Sequence, residues 1–343
     1  MRAVVAREGV LDVEEIADPT PGHGHVLARP VSAGICGSDL HALHLQAEDP
    51  EQLAPMVFGH EFCAEILDHG PGTHTIHPTG SLVCSVPFLD GPAGPELVGL
   101  TPNFPGGFAE RILLQESRLI LVPNGLDAAR AALTEPLAVG VHAVAAARLA
   151  ATDIPLVLGC GPIGLAVLAA LKAAGHGPVV VSDFSPLRRT LAERLGADVI
   201  VDPADGDPYV TWLDLTGPAL LPSPLLEPTA LPAPTVVFDC VGAPGLTEQF
   251  ISSAPSHSRL VVVGVCATSD SFVPVRAIEK ELSIQYVFAY RPEEFARSLS
   301  LIAEGDVDVT PWITGTCKLD GVRQAFNDLT NPEQHCKILV NPS

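Results

Sequence analysis

The 343-residue chain reads as an α/β protein in two parts, a β-rich first part followed by a doubly wound parallel sheet. Three observations carry this reading. Over the first third, short apolar runs alternate with Pro and Gly clusters (VVARE, HVLARPVSAG, FCAEILDHG, SLVCSVPF, FAERILL), the pattern of strands and turns. From Ile154 the pattern changes to strand, helix, strand, helix, strand, in PLVLG, LAVLAALKAAG, PVVVSD, PLRRTLAERLG and DVIVD. The length, at roughly 150 residues per domain, leaves room for two cores.

The connecting stretch from Ala128 to Leu149 is Ala-rich, with Leu133, Leu137, Val141 and Val144 at helical spacing, and predicts a linking helix. Farther on, TVVFDCVG and RLVVVGV predict strands, PEEFARSLSLIAEG a helix, and KILVNP a last strand. Eight prolines from Pro203 to Pro234 predict a long extended excursion along the surface, since no regular helix tolerates that density. The uncharged run Ile154–Leu171 has the length of a membrane span, but Gly159, Gly161, Pro162 and Gly164 break it into a strand, a turn and a buried helix.

Composition narrows the function. With 47% hydrophobic and 17% charged residues the chain has the makings of large buried cores, which excludes disorder. A net charge of −21 repels phosphate backbones and anionic headgroups, so neither nucleic acid nor a membrane surface is expected as a partner. Eight scattered cysteines without a C-x-x-C pair, and an N-terminus without an apolar signal core, predict a reduced, cytoplasmic setting.

Gly159-Cys160-Gly161-Pro162-Ile163-Gly164 fits G-x-G-x-x-G. It follows an apolar strand and opens an apolar helix, and Asp183 ends the next strand nineteen residues beyond Gly164. Glycines there let the backbone approach a pyrophosphate at a helix N-terminus, as in Rossmann dinucleotide-binding units. Asp183 would accept the ribose hydroxyls and repel a 2′-phosphate, and Phe184 rather than Arg follows it, which favours NAD over NADP. Arg188 and Arg189 weigh the other way.

In the β-rich part stand Cys36-Gly37-Ser38-Asp39-Leu40-His41 and Gly59-His60-Glu61. A thiolate, an imidazole and a carboxylate suit zinc, and a position left to water or substrate makes such a site catalytic. With Glu135-Pro-Leu-Ala-Val-Gly-Val-His-Ala143, the glycine run with Asp183, and the terminal KILVNP, these motifs lie in family order over nearly the whole chain. In this the chain resembles the zinc-dependent medium-chain alcohol, polyol and threonine dehydrogenases.

The resemblance implies a GroES-like β-barrel catalytic domain of residues 1–135 and 289–343 and a Rossmann NAD-binding domain of residues 136–288. It implies zinc on Cys36 and His60. Glu61 would be the third ligand or a close neighbour, and Glu135 would bind directly or through the metal's water. Cys240, Val241, Val263 and Val265 would join the glycine run, Pro162, Ile163, Asp183 and Arg188 on the cofactor. Ser38 would take the substrate proton and pass it, through the nicotinamide ribose, to His41. Asp39 reads equally as a turn residue and as a support behind the metal. Ser85–Ala109 contains no cysteine where many relatives hold a second zinc, so one catalytic zinc and no structural zinc is expected.

The implied activity is hydride transfer between a small alcohol, preferentially secondary, and NAD, giving a ketone or aldehyde. The implied assembly is a homo-oligomer, a dimer or tetramer. Ala-Leu-His-Leu-Gln after His41 is poor in hydroxyl groups and argues against a polyol. A zinc-free enone or quinone reductase would lack the Cys36, His60 and Glu61 set. A non-catalytic NAD-binding structural or regulatory protein would have no use for ligands and relay together.

Overall fold

The structure, a computed structural model, describes residues 1–49, 54–91, 94–216 and 235–342. The chain divides into two compact units, Met1–Glu135 with Phe295–Ser343, and Pro136–Glu294. The sequence reading returned the chain to the first unit at residue 289; the second unit instead runs to Glu294. Glu294 Oε2 lies 2.9 Å from His142 Nδ1 and accepts the Arg291 N–H at 2.7 Å, tying this turn to the second unit.

In the first unit the strand His25–Gly34 is central. Its sheet runs Leu119–Leu121, Leu82–Ser85, Glu61–His69, His25–Gly34, Lys337–Val340, Ile313–Cys317, with Ile112–Gln115 also paired to His25–Gly34. Smaller sheets are formed by Val10–Glu15, Arg2–Arg7 and Met56–Val57, and by the hairpin Phe88–Gly91 with Gly94–Leu97. Phe58, Phe108 and Phe326 pack ring against ring in the buried core. Gly34 faces Glu61 on one neighbouring strand and Leu339 on the other, both antiparallel. The strand Lys337–Val340, KILV, is buried along its whole length and is built into this core.

The second unit holds six parallel strands in the order Val199–Val201, Val180–Ser182, Ile154–Leu158, Thr235–Asp239, Arg259–Val262, Ser283–Tyr286. Strand order reverses at Ile154–Leu158, and ligands of doubly wound sheets bind beyond the strand ends at such a switch point. The following helix, Pro162–Ala173, is buried continuously from Gly164 to Leu171, which explains why it is apolar all round. Among the described residues, no helix is long and apolar enough to cross a membrane.

Three local expectations change. The linking helix is two helices, Ala128–Ala131 and Thr134–Ala147. The proline-rich excursion begins with a helix, Pro208–Thr216: Pro208 is its first residue, where a missing N–H costs no helical bond, and Trp212 is buried with Nε1 donating to Ile154 O at 2.9 Å. Residues 217–234 of that excursion lie outside the described residues. Gly37–Glu48, read only as a ligand-bearing segment, is a helix that buries just Asp39 and Gln46, so it carries no apolar stripe to announce it.

Candidate metal centre and dinucleotide turn

Cys36 stands at the N-cap of Gly37–Glu48, in extended conformation at the end of the central strand. Its backbone N–H donates to Asp39 Oδ2 at 2.9 Å, so Asp39 closes the first turn from inside. The other oxygen, Asp39 Oδ1, faces His60 Nδ1 at 3.4 Å, and among the described residues neither atom has another partner. Asp39 is therefore both the turn residue and the support behind the imidazole. It fixes the ring so that Nε2 points the other way, an arrangement that metal-binding histidines require.

One ligand atom each from Cys36, His60 and Glu61 lies within 4.8 Å of the others, and His60 and Glu61 are buried. Burial disfavours a charge on His60. The negative groups of Asp39 and Cys36 outweigh it and hold the imidazole pKa well above its ordinary value. The pocket is thus built to surround positive charge with a thiolate, an imidazole and a carboxylate, a donor set that fits zinc. Glu135, half-buried in the first turn of Thr134–Ala147, is not part of this group. Ser38 Oγ lies 3.4 Å from His60 Nε2, and His41 is exposed one turn farther along the helix.

Glu61 has a partner that the sequence reading missed. Lys337 Nζ donates to Glu61 Oε1 at 2.8 Å, to Oε2 at 2.7 Å and to Ile35 O at 2.9 Å, so all three of its N–H bonds are used. Lys337 is 1% exposed. Burial alone would lower its pKa; the Glu61 carboxylate beside it outweighs burial and raises it. Lys337 and Glu61 sit on strands either side of His25–Gly34. The lysine reaches across because Gly34 leaves a gap: a Cβ there would overlap Glu61 Oε2. The available signal was a lysine opening a fully apolar terminal strand, since a buried ammonium demands a partner.

In the second unit Gly159 adopts φ +85°, and a Cβ on Gly164 would overlap the Gly159 carbonyl oxygen, so the turn admits only glycine at both positions. Helix Pro162–Ala173 begins here with Pro162 and Ile163. Asp183 Oδ2 accepts the Cys160 N–H at 2.7 Å and Oδ1 the Ser185 N–H at 2.8 Å, which places the carboxylate beside the glycine turn. Arg189 is committed elsewhere, to Asp183 O, Phe184 O and Asp202. Arg188 leans toward the turn: its Nη1 is 3.9 Å from Asp183 Oδ2 and would stand 3.6 Å from a Cβ on Gly161. Cys240, Val241, Val263 and Val265 lie just past the C-terminal ends of Thr235–Asp239 and Arg259–Val262, with Val241 and Val265 exposed. These ends are where a doubly wound sheet receives its ligand.

Two domain families match the chain: alcohol dehydrogenase GroES-like domain over residues 22–124, and zinc-binding dehydrogenase over residues 162–304. The chain belongs to the zinc-dependent medium-chain dehydrogenases, oxidoreductases that act on alcohols with a nicotinamide cofactor. It is 32% identical to the (R,R)-butanediol dehydrogenase of Bacillus subtilis strain 168, over 96% of each chain. The crystal structure of 2R,3R-butanediol dehydrogenase from that species superposes with a TM-score of 0.84 at 30% identity, covering 100% of this chain and 99% of that one. A zinc-binding dehydrogenase from Sinorhizobium meliloti 1021, bound to NADP, superposes with a TM-score of 0.82 at 27% identity over 99% of each chain.

Proposed function

We propose that this protein oxidises a small secondary alcohol, of the vicinal-diol class to which butanediol belongs, to a ketone with NAD, using one catalytic zinc held by Cys36 and His60 with Glu61 beside them. The observation that carries this is the convergence of half-buried Cys36 with buried His60 and Glu61, with Asp39 behind the imidazole. When bound, zinc supplies a Lewis acid that makes a substrate hydroxyl acidic. Cys36 and His60 would hold the metal through the thiolate and Nε2, and Asp39 holds the imidazole by its Nδ1 side. Ser38, its hydroxyl 3.4 Å from His60 Nε2, would accept the substrate proton as it gives up its own, and exposed His41 would be the group that releases a proton to solvent. Glu135 serves as an outer carboxylate. The single-zinc reading rests on the cysteine-free stretch Ser85–Ala109.

NAD is favoured over NADP because the Asp183 carboxylate is tethered beside the glycine turn and Arg189 is taken up by Asp183 O, Phe184 O and Asp202; Arg188, 3.9 Å from Asp183 Oδ2, would reach the cofactor's phosphates. A homo-oligomer is supported by the edge strand Ser283–Tyr286 and its exposed apolar neighbours Val275, Ile278 and Phe288, a surface that needs cover. The test is an activity panel of primary, secondary, cyclic and vicinal-diol substrates on zinc-loaded protein, with metal analysis and both cofactors. Secondary alcohols and diols with NAD are expected to be turned over at one zinc per chain. Preference for NADP would refute the role given to Asp183, and no bound zinc would refute the metal centre.

A further inference from the structure

We propose that Lys337 is a positioning residue that competes with the metal for Glu61, holding the carboxylate as a shared counter-charge and keeping one metal position open for substrate. The inference rests on the Cys36 and His60 metal centre proposed above.

Charge and geometry lead to it. Cys36 and Glu61 together carry two negative charges, enough to neutralise a dication, and a fully neutralised metal attracts a substrate oxygen weakly. Lys337 takes one of these charges back. Both carboxylate oxygens point at one ammonium, at 2.8 and 2.7 Å, and the ammonium is fixed by its third bond to Ile35 O. Each oxygen keeps a lone pair, so the carboxylate can approach the metal without leaving Lys337, but it does so with its charge shared. Stability alone gives little reason for such a pair, because apolar replacement of a buried pair is often neutral or stabilising. The fold nevertheless builds it deliberately, with a lysine in an apolar strand reaching over the one position, Gly34, that has no side chain.

The test measures zinc affinity by chelator competition in four proteins: wild type, Lys337→Met, Glu61→Gln and the double variant. Freed from its two charge-assisted bonds to Lys337, Glu61 becomes a full ligand, so Lys337→Met should bind zinc at least about tenfold more tightly. In the Glu61→Gln background the same change should alter affinity by less than about threefold, because the partner it releases is gone. Unchanged or weaker binding in Lys337→Met, or an equal gain in both backgrounds, would overturn the proposal; the latter would make Lys337 a simple repulsive charge. A zinc-loaded crystal structure of the wild type decides without a variant, should Lys337→Met not fold. Lys337 Nζ within hydrogen-bonding distance of Glu61 is expected, and a carboxylate turned onto the metal with Lys337 abandoned would overturn it. A wild type that binds no zinc would instead defeat the underlying metal centre.

Discussion

Gly34→Ala tests the buried geometry with one carbon atom. Gly34 lies in extended strand, so alanine meets no backbone penalty there, and the whole effect comes from space. The new Cβ would overlap Glu61 Oε2 and press to 3.2 Å from Cδ and 3.3 Å from Cβ of the same side chain. To regain ordinary carbon contact the carboxylate must retreat by more than about 1 Å. It cannot do so and keep bonds of 2.8 and 2.7 Å to an ammonium already fixed by Ile35 O. Breaking a buried ion pair costs about 3–5 kcal/mol. For a unit of this size each kcal/mol lowers the midpoint by about 2–4 °C, so the first unit should melt roughly 6–20 °C earlier. Scanning calorimetry of zinc-free protein measures it, with Gly37→Ala as control, since a Cβ there meets nothing within 4 Å among the described residues. A Gly34→Ala protein that melts with the wild type would refute the placement of Glu61 and Lys337.

Ser38→Ala should lower turnover by about 10²–10⁴-fold at saturating cofactor while leaving NAD affinity unchanged; wild-type turnover would remove Ser38 from the proton path. Asp198 supplies a pH dependence. Partial burial raises its pKa, but the Val179 N–H at 2.8 Å and Lys172 at 3.0 Å outweigh that and hold it below the ordinary value. Its stabilisation is therefore present above the ordinary carboxylate range and lost as pH falls through the lowered value. Asp198→Asn should shift the urea midpoint of the second unit downward at neutral pH, and the difference should shrink in acid. A difference that stays constant with pH would contradict the assignment.

How much could be read beforehand differs between the two sites. The dinucleotide turn was legible because its physics is local: Gly159 and Gly164 meet each other's atoms five residues apart, and Asp183 follows one strand later. The candidate ligands Cys36, His60 and Glu61 were legible only in company: each short motif is unremarkable alone, and it is their order with the glycine turn that carries the resemblance implying a metal. The helix Gly37–Glu48 was hidden because a helix that buries only two polar residues has no apolar period. Asp39 left two readings open until its two oxygens were seen to divide between Cys36 and His60.

The order of residues alone determined the strand and helix alternation of the second unit, the glycine turn and the absence of a cysteine cluster, because each depends on short stretches of chain, and the resemblance carried by the motifs supplied the candidate ligands. Sheet order decided the rest. Lys337 and Glu61 are 276 residues apart and meet because the last strand lies beside His25–Gly34, whose final glycine opens the space between them. No local pattern encodes which strands will be neighbours. The charge beside the candidate ligands is therefore a property of the assembled sheet.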